Sequence, residues 1–390
     1  MYSLLLAIIY IAFISLGLPD SLLGSAWPVM YPQLGVPMSY AGIITMIIAG
    51  GTIISSLLSY KLTSRLGAGF VTAISVMMTA LALFGFSISN HFLLLCLWAI
   101  PYGLGAGAVD AALNNYVALH YASRHMSWLH CFWGVGASIS PYIMSYCLTN
   151  GFGWHNGYRS VSFLQIILTA MLFISLPLWK REKTSENGVS PKNASPRLMQ
   201  IFKIKGVKFV LSTFFCYCAL ESTTGLWASS YLVNSRGIDS ETAAKFASLF
   251  FLGITFGRFL SGFIADKMGD KTLIRLGTGI LLLGMALLIL PDASGTAALA
   301  GLVIIGFGCA PIYPSIIHST PANFGEENSQ AIIGVQMASA YLGSTFMPPV
   351  FGLIADKINI GLYPEYLILF AVLMLITSEM LNKTAGVKLK

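Results

Sequence analysis

GLPDSLLGSAW, residues 17–27, and CALESTTGLWA, residues 218–228, can be laid one on the other without a gap. The overlay sets Asp20 against Glu221 and Gly24 against Gly225. Between Met1 and Tyr60, Asp20 is the sole charged residue. Two more pairs recur at nearly the same separation: GLGAGAVDAALNN (103–115) with GFGCAPIYPSIIH (306–318), and GVGASISPYI (134–143) with YLGSTFMPPV (341–350). The chain therefore carries two copies of one design. Membrane transporters are built this way because a site between two similar halves can be opened to either side by rocking one half against the other.

Composition identifies the solvent. Of 390 residues, 56% are hydrophobic and 9% charged, with a mean hydropathy of +0.76, whereas a soluble domain carries about 25% charged residues. Apolar stretches of roughly 20 residues, each enough for one helical span, recur along the chain. They predict an all-α membrane protein with twelve transmembrane helices, near 3–31, 39–61, 70–89, 92–121, 126–149 and 158–180, then 207–234, 240–265, 272–291, 296–322, 328–354 and 363–382. Two pseudo-symmetric six-helix halves follow, 1–180 and 207–382, with a polar linker at 181–206 and a short tail at 383–390. The Ser, Asn, Pro and Lys content of the linker predicts partial disorder. Little chain remains for a soluble catalytic domain, so an enzyme is not expected. The first stretch lacks a charged leader and contains Pro19 and Pro28, so it reads as a retained span and not as a signal peptide.

Basic residues collect in short cytoplasmic loops. With both termini inside, that side receives Lys61, Arg65, Arg124, the cluster from Lys180 to Lys208, Lys267, Lys271, Arg275 and the tail lysines, while the outside keeps Arg159, Arg236, Lys245 and Lys357. The same asymmetry accounts for the net charge of +7. It implies membrane topology and contact with anionic lipid, not nucleic acid. The expected place is a bacterial inner membrane, as a monomer. The six cysteines all lie in apolar stretches and read as small hydrophobes, without metal or disulfide.

After the eighth span the chain reads GFIADKMGDK (262–271). This G-x-x-x-D-K-x-G-x-K loop resembles the signature of the major facilitator superfamily, and SYKLTSRLGAG after the second span is a degraded copy with Ser64 in place of the acid. The resemblance implies that Gly262 and Gly269 allow close packing, that Asp266 holds a helix N-terminus or a nearby Arg, and that Lys267 and Lys271 hold the cytoplasmic face as part of a gate. A third echo, GLIADKINIG (352–361), reads as an outer loop. Within the superfamily, GLGAGAVDAALNNYVA (103–118) followed by WLHCFWGVGASISP (128–141) resembles the fucose-permease branch. That likeness implies sugar transport, with Asp20 and Asp110 as proton-coupling acids and Asn114, His130 and Trp133 as solute contacts. The fourth-span acid is Asp where the branch has Glu, and the fifth span offers His130 and Trp133 where amides are typical.

The residues carry part of this reading alone. An ionised carboxylate near the bilayer centre costs at least about 2.5 kcal/mol, so Asp20, Asp110 and Glu221 are expected to face a cavity or a partner. Glu221 has no complementary base in reach by sequence. A carboxyl group held away from water can exchange protons nearer neutral pH as its exposure changes. His130 and His318 lie within spans and can donate to hydroxyls or relay protons, whereas His91, His125 and His155 read as solvated loop residues. Trp27, Trp133 and Trp227 offer flat surfaces for the C–H face of a sugar. Asn115, Gln165, Tyr313 and Gln336 complete the polar lining expected of the site. Trp154 and Trp179 fall at span ends, where interfacial rings are common. The string Gly103-x-Gly105-x-x-Ala108 imitates a dinucleotide turn but sits mid-span, where small residues serve close helix packing.

These features predict a secondary transporter with alternating access, a proton symporter of a sugar or similar small polar solute, needing no cofactor and coupled to H+ or, second, Na+. A proton-driven antiporter exporting amphipathic compounds is the alternative. A sensor without flux would be expected to carry an added signalling domain, and none fits.

Overall fold

A computed structural model describes residues 2–37, 40–179, 198–238, 240–291 and 295–385. Every regular element among them is a helix. In chain order they are α1 (Tyr2–Gly17), α2 (Leu22–Gln33), α3 (Ala41–Leu66), α4 (Ala68–Ile88), α5 (Phe92–His120), α6 (Ser123–Thr149) and α7 (Gly153–Ser175), then α8 (Leu198–Lys203), α9 (Val207–Arg236), α10 (Ser240–Met268) and α11 (Asp270–Ile289). They continue with α12 (Thr296–Cys309), α13 (Ile312–His318), α14 (Thr320–Phe324), α15 (Glu326–Ile354) and α16 (Tyr363–Ala385). Ten described stretches are long and apolar enough to cross a bilayer. The last, Glu326–Thr384, takes in both α15 and nearly all of α16, and α6 falls short because Ser, Gly, Pro and Tyr dilute its apolar run, so the helices fit twelve crossings. Most of the 181–206 linker, where Asn193-Ala194-Ser195 spells a glycosylation sequon, and the tail beyond Ala385 lie outside the described residues.

The described residues divide into two compact units, one from Met1–Tyr116 and Phe132–Arg197, the other from Val117–Cys131 and Leu198–Lys390. In the first, α4 packs on α7 and α1 touches both; in the second, α9 packs on α15 and α16, and α12 on α10 and α11. The α5–α6 junction groups with the second unit although it lies within 1–180.

Pro19 explains the break between α1 and α2. It has no N–H to give Ser15, four residues back, and its ring disfavours a continuing helix. The freed Ser15 carbonyl instead accepts from Gln165 Nε2 at 2.7 Å, and Thr79 donates to the Gln165 carbonyl at 3.0 Å. The chain crosses the gap through tight turns, Asp20 N to Gly17 O and Leu22 N to Pro19 O, both 3.2 Å. Asp20 and Ser21 are thereby placed at the N-terminus of α2. In the second unit Leu220 replaces the proline and α9 runs unbroken through Glu221. There the interruption falls at Ala310–Pro311, and Tyr217 OH donates to the freed Cys309 carbonyl at 3.0 Å.

The internal repeat is written into backbone contacts. A Cβ on Gly136 would strike the Ile14 carbonyl of α1, and one on its counterpart Gly343 would strike the Phe215 carbonyl of α9. Gly103 meets Ile48 O as Gly306 meets Phe250 O; Gly105 meets Ser75 O as Gly308 meets Gly277 O. Small residues at these positions let helix backbones touch, which is how membrane helices associate where lipid offers no hydrophobic drive. The dinucleotide-like string thus serves helix packing.

Large apolar side chains such as Leu93, Ile174 and Leu353 stay exposed, as expected where the surrounding solvent is lipid. Three expectations change. Trp154 and Trp179 are buried, their N–H groups spent on Gln33 and Ser175, because neighbouring helices cover both span ends. Residues 355–362 form a π turn and a 3-10 turn in place of an open loop, the backbone continuing to coil directly after α15 ends at Ile354. His125 and His155 lie in the first turns of α6 and α7, partly buried against Tyr121 and Trp128 and against Trp154 respectively, because both helices begin earlier than their apolar runs.

Replacing Gly136 by Leu is expected to lower stability by about 1 to 3 kcal/mol through overpacking. Gly50→Ala, where no atom lies within 4 Å of the added carbon, is expected to leave it unchanged or slightly raised. Thermal unfolding in detergent measures both, and equal effects would reject the packing account.

Candidate functional site

Asp20 is the best-furnished acid of the first unit. Trp133 Nε1 donates to one carboxylate oxygen at 2.9 Å and Tyr102 OH to the other at 3.1 Å. Gly17 and Gly136 bring α1 and α6 together backbone to backbone, which carries the Trp133 indole within reach. Ser21 ties the same junction by donating to Ala137 O at 2.5 Å and sharing a 2.8 Å contact with Ser140. The carboxylate lies beside the N-terminus of α2, whose dipole favours negative charge. It remains exposed. Trp133, expected to face solute, is here a donor to Asp20.

Asp110 is buried at 5% exposure, and Asn114, one turn along α5, donates to it at 2.7 Å. Asn114, Asn115, Gln165 and Gln336 are all almost fully buried. Gln165 serves the Pro19 break, and Gln336 accepts from Thr320 at 3.0 Å. Trp27 is packed in the apolar core of the first unit, and Trp227 donates to Pro348 O at 2.9 Å while leaning on Phe351.

In the second unit Glu221 does have a base. Arg258 of α10 meets it at 3.2 Å, with the Arg side chain 3% exposed and the Glu side chain 19%. The guanidinium lies 5.8 Å from the Tyr313 ring centre, and Tyr313 is flanked by Phe214 at 4.6 Å and His130 at 4.5 Å. Sequence reading missed Arg258 because the partner lies 37 residues away on another helix. The available signal was a lone cation within LFFLGITFGRFLSGF (249–263), since an ionisable residue inside a span is a functional candidate on cost alone.

A third cluster gathers at the helix ends. Asp266 accepts from the Arg124 backbone N at 3.1 Å and faces its side-chain Nε at 3.3 Å, so one carboxylate holds both a helix N-terminus and its arginine. Asp270 accepts from Ser123 at 2.7 Å and contacts His318 Nδ1 at 2.7 Å, while His318 Nε2 reaches Tyr121 O at 3.3 Å. A Cβ on Gly262 would collide with the Trp128 indole, whose N–H donates to Phe259 O. Gly269 turns the chain from α10 into α11 at φ 73°, a conformation that favours glycine. Lys267 and Lys271 are exposed. Ser64, in the degraded copy, bonds back to Lys61 O of its own helix.

Charge pairs differ by setting. Arg124 and Asp266 are half and one-third exposed, so a double-mutant cycle with Arg124→Gln and Asp266→Asn is expected to give a coupling of no more than about 1 kcal/mol. Arg258→Met alone, leaving Glu221 buried without its cation, is expected to cost about 3 to 5 kcal/mol. Thermal unfolding of the purified variants checks the contrast, and a larger cost at the exposed pair would overturn it.

The chain resembles known transporters throughout. It is 22% identical to Bypass of stop codon protein 6 of Saccharomyces cerevisiae, over 91% of this chain and 77% of that one. It is also 22% identical to the Cis,cis-muconate transport protein of Acinetobacter baylyi, over 83% and 80%. The E. coli Fucose:proton symporter FucP superposes with a TM-score of 0.77 at 15% identity, over 97% and 98%; FucP in its outward conformation reaches 0.80, over 96% and 98%. The sequence profile of the Major Facilitator Superfamily matches residues 9–348. With that match over most of its length, its helices and its multi-pass membrane architecture, the chain belongs to the Major Facilitator Superfamily of transporters.

Proposed function

We propose that the protein is a proton-coupled symporter of a small polyhydroxylated solute, a sugar or close derivative, working by alternating access, with both termini on the cytoplasmic side. The observation that carries the reading is Asp20: an exposed carboxylate, in a break of the first span, held by two donors. Such a group can exchange protons with an aqueous path, and a broken helix can change shape there at low cost. Trp133 and Tyr102 donate to the carboxylate through hydrogen bonds that weaken once the acid is protonated. Protonation is thereby linked to the junction of α1, α2 and α6. Asp110 with Asn114, and Glu221 with Arg258, are the further polar centres that answer to solute and proton. Sugar transport by structural neighbours supports the solute class, and the Asp266 cluster supplies contacts that a gate would make and break.

Asp20→Asn mimics the protonated acid permanently. It is expected to retain solute exchange at equal pH and to lose accumulation driven by a pH gradient, because no proton can be released to complete the cycle. Asp110→Asn is expected to weaken solute binding more, since the Asn114 amide then bonds a neutral amide oxygen in place of a charged carboxylate. Uptake and counterflow of labelled sugars in proteoliposomes, across an imposed pH difference, test both. Wild-type accumulation by the Asp20→Asn protein would make the carboxylate structural.

A further inference from the structure

Arg258 is a buried cation, and proton exchange at a carboxylate does not by itself require one. Removing a guanidinium and a carboxylate from water costs more than their attraction commonly returns, and well-packed apolar residues of the same volume serve stability as well or better. The geometry of the pair deepens the puzzle. Arg275 and Glu379, both at least one-third exposed, meet through two hydrogen bonds of 2.6 and 2.8 Å. Arg258 and Glu221, where a tight match would matter more, meet at 3.2 Å, longer than the about 2.7–2.9 Å of strong charge-assisted pairs.

Accessibility gives the pair a direction. Glu221 is the more exposed partner, Tyr313 is half-buried, and Arg258 lies behind them. A molecule arriving from the accessible side meets Glu221 and the Tyr313 ring before the guanidinium.

We propose that Arg258 is the docking point for a carboxylate on the transported solute, and that Glu221 holds that place until the solute displaces it. This rests on the symporter reading and narrows its solute to a hydroxylated carboxylate, a sugar acid. The planar guanidinium fork matches a carboxylate in two hydrogen bonds. Tyr313, half-buried and backed by the buried Phe214 ring, presents aromatic surface to the C–H face of the attached ring. Charge balances: the incoming carboxylate replaces that of Glu221 on Arg258, and one proton neutralises the displaced Glu221. Among the described residues, the other titratable groups around the pair are Tyr217, Cys309, Tyr313, His130 and Cys131, none of which is a second carboxylate.

The test uses the full chain in proteoliposomes with matched probes, labelled glucuronate and galacturonate against glucose and galactose. In the wild type the acids are expected to compete for uptake at concentrations at least about tenfold below the neutral sugars, as one charge-assisted pair allows. Glu221→Gln removes the competitor for Arg258 and is expected to raise acid binding several-fold relative to neutral sugars; a merely structural pair would give an equal or smaller preference. Combining it with Arg258→Met, a neutral pair of similar volume, is expected to abolish the preference for acids. Failure of every acid, equal competition by neutral sugars, or a preference that survives the double change overturns the assignment. Neutral sugars accumulating on a proton gradient while acids stay inert would overturn it and leave the symporter standing. Acid exchange without gradient-driven accumulation would remove proton coupling and leave the Arg258 assignment intact.

Discussion

In a bilayer, a backbone carbonyl that loses its donor has no water to turn to, and the cost of several kcal/mol must be met by another protein group. Pro19 creates that situation at Ser15, and Gln165 resolves it. Much of the first unit is arranged around the consequence. The helix ends at Gly17, restarts at Leu22, and leaves Asp20 at the head of α2, where dipole, indole and phenol can hold a negative charge. Without the amide on α7, the break would leave a buried acceptor bare. Without Gly17 and Gly136, α6 could not approach closely enough for Trp133 to reach the acid.

The two halves keep the same scaffold and spend it differently. Paired glycines preserve the backbone approaches of α1 with α6 and of α9 with α15, down to counterpart carbonyls at Ile14 and Phe215. On that shared frame the first half exposes its acid in a broken helix, and the second holds its partly buried acid in an unbroken helix against a buried arginine. An exposed, hydrogen-bonded carboxylate suits proton exchange. A shielded ion pair of modest geometry suits exchange of one anion for another. The aligned positions Asp110 and Tyr313 show the same divergence: one is an acid bonded to its own helix, the other a ring beneath a guanidinium.

The fold was legible because a membrane imposes long apolar runs, and the repeat was legible because backbone contacts demand glycine at matching places. The break at Pro19 followed from local chemistry, whereas a helix N-terminus or an arginine as the partner of Asp266 was implied by the family resemblance. What could not be read were pairings across the chain. Nothing near Glu221 in sequence points to Arg258, and nothing near Gln165 says that it serves Ser15 and not a solute. Asn114, Asn115 and Gln336 are expected to line a cavity because polar residues in spans are costly; all three are almost fully buried, with Asn114 bonded to Asp110 and Gln336 to Thr320. Polarity within a span reports that a partner exists; only the packing reports which one.

The central claim is that solute movement carries protons through the Asp20 centre. The direct measurement records pH inside proteoliposomes with a trapped dye while solute is added outside, with no imposed gradient. The account predicts that solute entry acidifies the lumen in the wild type, and that the acidification disappears in the Asp20→Asn protein even though solute still exchanges. Solute entry with no change in lumenal pH, or an unchanged acidification without the Asp20 carboxylate, would contradict it.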